Sequence, residues 1–101
     1  MSYQVTNIFT RPSASVNFHV ANIQDGYIQY VLQNYKNTNK IIDLSSDISE
    51  DGLTLTAIWT WTTQAEYEAF QQDAITVQQR AERDAWNTAN SITMVQTAVE
   101  V

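Results

Sequence analysis

Apolar and polar residues alternate from Tyr3 to Thr10, with Tyr3, Val5, Asn7 and Phe9 on one side and Gln4, Thr6, Ile8 and Thr10 on the other. That spacing predicts a strand. The run "RPSAS", Arg11 to Ser15, ends it as a turn, and "VNFHVAN" then alternates again. Val16 to Val20 fits either a short hairpin partner or an extended loop. The period next becomes helical: Ile28, Val31, Leu32 and Tyr35 recur at i, i+3, i+4 and i+7 within a segment from Ile23 to Asn37, with Asn22 as its N-cap and Asp25 near its positive end.

Ile41 to Ile48 and Leu53 to Thr62 read as two strands joined by "SEDG", in which Asp51-Gly52 is a strong turn signal. A loop of residues 49–52 sets Ile48 against Leu53, Leu44 against Ala57 and Ile42 against Trp59, so that the large apolar residues share one face. Asp43, Ser45 and Asp47 then oppose Ile58, Thr56 and Thr54 on the other. Thr63 to Glu66 has the capping-box form T-x-x-E, so a second helix starts at Gln64. Its stripe runs Tyr67, Phe70, Ala74, Val77, Ala81, Ala85 and Ala89, and the weak helix formers Ile75, Thr76 and Val77 mark a place for a kink or break. Ile92 to Val101 alternates as a last strand.

The order strand, helix, strand, strand, helix, strand is that of the ferredoxin-like α+β fold, an antiparallel sheet with two helices on one face, in one domain spanning residues 1–101. The second sheet face, with Thr6, Ile8, Thr54, Thr56, Ile58, Thr60, Val95, Thr97 and Val99, is left to water or a partner. The chain has no cysteine and one histidine, which argues against disulfides and Cys- or His-pair metal sites. A net charge of −6 disfavours nucleic acid as a partner. No apolar run is long enough to span a bilayer, and the N-terminus has no signal-peptide pattern, so a cytoplasmic protein is expected.

At "WTTQAEYEAF" the chain resembles the antibiotic-biosynthesis-monooxygenase-like group of the dimeric α+β-barrel superfamily, with Trp61 at the family's tryptophan, Thr63 at its capping residue and Tyr67 and Phe70 at its helix aromatics. The resemblance implies a homodimer that pairs through the open sheet faces. It also implies an apolar pocket for a small aromatic or enone-like molecule, with Asn7, Trp61 and His19 as catalytic candidates and Phe9, Tyr67 and Phe70 against the ligand. Some members of that superfamily degrade haem using an Asn on the first strand, this Trp and an iron-ligating His on the second helix. Asn7 matches the first, but Gln78, Gln79 and Arg80 stand where the His would be, so no cofactor is expected.

Each candidate has a plainer reading. Trp59 and Trp61 are large enough to serve as core, with Trp59 assigned to packing against Ile42. Asn7 either satisfies a neighbouring backbone group or positions a ligand. His19 is a loop-packing residue or a general base. Arg11 is a solvated loop residue or an anion contact, and the charges of the second helix, Glu66, Glu68, Asp73, Arg80, Glu82, Arg83 and Asp84, read as a solvated face. The function expected is a small-molecule-binding barrel, a cofactor-independent monooxygenase or isomerase, against the alternative of a non-catalytic dimeric accessory or regulatory module.

Overall fold

A computed structural model describes residues 2–19 and 25–101. Its elements are β1 (Tyr3–Thr10), α1 (Asp25–Val31), a π-helical turn (Leu32–Lys36), β2 (Ile41–Ile48), β3 (Thr54–Trp61), α2 (Gln64–Gln71), α3 (Ala74–Ala89) and β4 (Thr93–Glu100). The sheet order is β2-β3-β1-β4 with every neighbouring pair antiparallel, which is the ferredoxin-like topology. The expected cap Asn22, the helix start at Ile23 and Val20 lie outside the described residues. Residues 16–19 form no strand, and Phe18 is buried against Phe9, Leu55 and Ile92.

The hairpin register departs from expectation by two residues. Ile48 pairs with Leu55 and Leu44 with Trp59, not with Leu53 and Ala57, and Asp43, Ser45 and Asp47 pair with Thr60, Ile58 and Thr56. The cause is in the turn. Ser49 Oγ bonds Asp51 Oδ1 at 2.6 Å and accepts from Thr54 N at 3.1 Å, while Asp51 Oδ1 accepts from Leu53 N at 3.0 Å. These bonds leave Leu53 outside the ladder, which begins with Ser49 N donating to Thr54 O at 2.9 Å. Gly52 supplies the left-handed residue this turn needs, at φ 75°. A shift of two keeps every side chain on its face. Ile42, expected opposite Trp59, instead falls at an irregularity in the β2–β3 ladder between Ile41 and Asp43 and is half exposed.

Arg11 is neither solvated nor free for an anion. Its Nε donates to Gly52 O at 2.6 Å and its Nη1 to Val16 O at 2.9 Å, and the guanidinium lies over the Phe18 ring at 4.6 Å. It ties the loop after β1 to the β2–β3 turn.

The second helix is broken, but at Gln72-Asp73, just before the β-branched run. Thr63 caps α2 as expected, accepting from Glu66 N at 3.2 Å. Asp73 then caps α3, its Oδ1 accepting from Ile75 N at 2.9 Å and Thr76 N at 3.3 Å. Its other oxygen accepts from the phenols of Tyr30 and Tyr35. Residues five apart in an α-helix point about 140° away from each other. The π turn widens the winding between them, marked by Asn37 N donating to Leu32 O at 2.8 Å, and both phenols reach one carboxylate.

Burial pushes the Asp73 carboxyl up, but the donors Tyr30, Tyr35 and the Thr76 and Ile75 amides outweigh it and hold the group below the ordinary carboxylate value. Asp73→Asn is therefore expected to lower stability at neutral pH by about 1–2 kcal/mol, as a weakened N-cap with charge-assisted bonds does. Because the native pKa lies below the unfolded one, the contribution is complete above about pH 4 and fades as pH falls through the native value. Urea unfolding of both proteins over that range should show the gap between them closing in acid. A gap that stays constant would show that the charge of Asp73 is not what stabilises the junction.

Candidate functional site

Two groups of buried side chains pack on the helix-covered face of the sheet. One contains Val5, Val31, Tyr35, Ile41, Trp61 and Phe70, the other Phe9, Phe18, Leu55 and Ile92. Between them runs the rung Gln96–Asn7–Ala57, set by the β1–β4 and β1–β3 registers. Ala57 contributes only a methyl group, and Asn7 and Gln96 are polar, so this rung cannot fill the space above it. A cavity of about 150 Å³ lies there, floored by Val5, Asn7, Phe9, Ala57 and Gln96.

Its aromatic wall is the corner where β3 enters α2. Trp61 is fully buried, 4.8 Å from the Phe70 ring, and stands edge-on to Tyr67 and to Tyr35, each at 5.8 Å. Trp59 is half-buried opposite Leu44, 5.9 Å from Phe70, and also lines the cavity. Trp59 packs against this cluster as expected, but its cross-strand partner is Leu44 and not Ile42, which is displaced at the ladder irregularity.

The roof comes from α3. Had one helix run on from Phe70, its inward stripe would have been Ala74, Val77, Ala81, Ala85 and Ala89, but all five are exposed. The break at Asp73 resets the phase, so that Thr76, Gln79, Arg80 and Arg83, at i, i+3, i+4 and i+7, line the cavity. Arg80 and Arg83 are therefore not part of a solvated face. The available signal was Asp73 itself, an N-capping residue in the middle of an otherwise continuous helical pattern.

Among the described residues, four buried side-chain atoms lack a hydrogen-bond partner, Asn7 Oδ1, Trp61 Nε1, Gln79 Oε1 and Asn87 Oδ1, while Thr76 Oγ1 has the Tyr27 phenol beside it as a partner. The first three belong to residues lining this one cavity. An orphaned buried polar group costs about 1–3 kcal/mol, so three such residues around one volume mark it for a polar occupant.

His19 also lines the cavity, with its ring 6.5 Å from Trp86 of α3. Burial lowers its pKa, Glu82 raises it and Arg83 lowers it again, with a net shift downward, so the imidazole is neutral at physiological pH. The phenols of Tyr27 and Tyr67 are shifted upward, chiefly by burial, and stay protonated there. All six sequence candidates, Asn7, Phe9, His19, Trp61, Tyr67 and Phe70, line the one cavity. On α3 the residues presented to the cavity are Thr76, Gln79, Arg80 and Arg83, so this helix offers no histidine as an axial ligand for haem iron. Among the described residues no three His, Cys, Asp or Glu side chains converge as a metal site.

No family model and no curated protein matches the sequence. Solved structures do match the fold. A monooxygenase of Streptomyces coelicolor, ActVA-Orf6, solved in complex with nanaomycin D, superposes with a TM-score of 0.70 at 12% identity, covering 99% of this chain and 88% of that one. SnoaB, a cofactor-independent oxygenase of Streptomyces nogalater, gives 0.68 at 11% identity over 99% and 92%. A dimeric ferredoxin-like protein from an uncultured marine organism gives 0.62 at 5% identity over 99% and 94%. The chain thus has the ferredoxin-like α+β fold that these structures share.

The two tryptophans should separate energetically. Trp61→Ala is expected to cost about 3–5 kcal/mol, the usual loss for a large buried aromatic. Trp59→Ala should cost less in the same denaturant titration, since Trp59 is only partly buried. Equal losses would mean that Trp59 is core.

Proposed function

We propose that this protein binds a small aromatic or enone-like molecule in the cavity between the sheet and α3, and acts on it as a cofactor-independent monooxygenase or isomerase. The observation that carries the reading is one aromatic-walled volume lined by three residues with unpartnered polar atoms, Asn7, Trp61 and Gln79. The same fold in a cofactor-independent oxygenase and in a monooxygenase with a bound ligand supports it.

In this reading the ligand lies against Phe9, Trp59, Tyr67 and Phe70. Asn7 Oδ1 accepts from a ligand hydroxyl, and Trp61 Nε1–H donates to a ligand carbonyl oxygen. Neutral His19 takes a proton from the carbon beside that carbonyl, and Trp61 stabilises the negative charge that gathers on its oxygen. Return of the proton at another carbon completes an isomerisation. Alternatively, the electron-rich enolate reduces O₂ directly: a ring methylene becomes a carbonyl, one oxygen atom is kept, the other leaves as water, and four electrons pass from carbon to O₂. No protein-bound redox group is required.

The open sheet face supports a homodimer as part of the same proposal. Ile8, Val95 and Val99 are exposed there beside a field of threonines, and β-branched residues suit face-to-face sheet contact. One of the structures with this fold is dimeric. Among the described residues no helix is long and apolar enough to cross a membrane, and we place the protein in the cytoplasm as a further part of the proposal.

Titration of hydroxylated aromatic carbonyl compounds against tryptophan fluorescence should show saturable quenching, with O₂ uptake for the methylene-bearing ones. Asn7→Ala should weaken binding about tenfold, the return on one lost hydrogen bond, and Ala57→Leu, which fills the cavity, should abolish it in a folded protein. Absence of quenching across the panel would leave the non-catalytic module. Light scattering should give twice the 11.5 kDa chain mass, and a monomer at micromolar concentration would remove the barrel.

A further inference from the structure

The chain carries only five Lys and Arg against eleven Asp and Glu, yet two of the five, Arg80 and Arg83, line the cavity. Each of the other three is occupied or distant. Arg11 is held in the loop by Gly52 O, Val16 O and the Phe18 ring. Lys40 lies over the Tyr35 ring at 5.6 Å, and Lys36 ends the π turn.

Arg80 and Arg83 are both partly buried, which for a guanidinium calls for a partner. Among the described residues Arg80 has one long bond, from Nη2 to Gln71 O at 3.4 Å, and no ion pair. Arg83 pairs with its neighbour Asp84 at 3.2 Å, but that carboxylate is mostly in water, and an exposed pair of this kind holds its partner weakly. The acidic groups on the same helix side are Glu82, which faces His19, and Asp84. Among the described residues no carboxylate lines the cavity.

Volume sets the second limit. A cavity of about 150 Å³ holds one benzene-sized ring. A fused three-ring compound would leave part of itself outside it. The orphaned groups set the third: Asn7 Oδ1 and Gln79 Oε1 need donors, and Trp61 Nε1–H needs an acceptor.

From these three constraints we infer that the site selects a single-ring hydroxylated aromatic acid, with the ring against Trp59 and Phe70, a ring hydroxyl at Asn7 and the carboxylate on Arg80 and Arg83. This rests on the ligand-binding reading above and narrows it, since that reading alone would also admit neutral and polycyclic compounds. Arginine suits the task because its planar fork meets a carboxylate in two parallel bonds.

The test is calorimetric titration of the full chain with 4-hydroxybenzoate, 4-hydroxybenzamide and a neutral three-ring hydroxyanthraquinone. The carboxylate should bind at least about tenfold more tightly than the amide, as one charge-assisted hydrogen bond provides. That preference should shrink with added salt, disappear in Arg80→Gln and be partly restored in Arg80→Lys, with circular dichroism showing each variant folded. Arg83→Gln should reduce it as well. Equal binding of acid and amide, or tighter binding of the three-ring compound, would overturn the inference while leaving the ligand-binding proposal standing. If none of the three binds, both fall.

Discussion

The carboxylate of Asp73 joins parts of the chain that are far apart in sequence. It accepts the phenols of Tyr30 and Tyr35 from the first crossover and the amides of Ile75 and Thr76 from the second. Burial of a charge beside Tyr35 would be costly without these donors, and each donor would be costly without the charge. The two helical crossovers are therefore locked to each other by a polar knot at the end of an aromatic core.

That knot decides which side of α3 meets the sheet. Ending α2 at Gln71 and restarting at Ala74 turns the small-residue stripe out to water and brings a polar stripe in. A polar stripe cannot close tightly on the Asn7–Ala57–Gln96 rung, and so the space stays open. The cavity is the joint result of a helix phase set by one aspartate and a rung too small to reach the roof.

Much of this was legible from residue patterns. Strand parity placed Asn7 and both tryptophans on the helix-covered face, and it survived a hairpin register displaced by two, because a shift of two preserves the face. The T-x-x-E cap located α2. The exact turn was not legible, since the side-chain bonds of Ser49 and Asp51 to the backbone compete with a simple two-strand closure. Arg80 and Arg83 were hidden for a different reason. A periodicity read straight through Asp73 gives a plausible apolar stripe, and only the cap's carboxylate resets it. Nor does any spacing announce the π turn, whose cause, two phenols meeting one carboxylate, is tertiary.

The separation of the two buried clusters has a consequence for how such a protein could diversify. Val5, Tyr35, Trp61 and Phe70 on one side, and Phe9, Phe18, Leu55 and Ile92 on the other, each close without help from Asn7, Ala57 or Gln96. The middle rung behaves as an exchangeable floor tile. Side chains there can be swapped to suit a new occupant while the supports on either side keep the fold, so selectivity can drift faster than architecture.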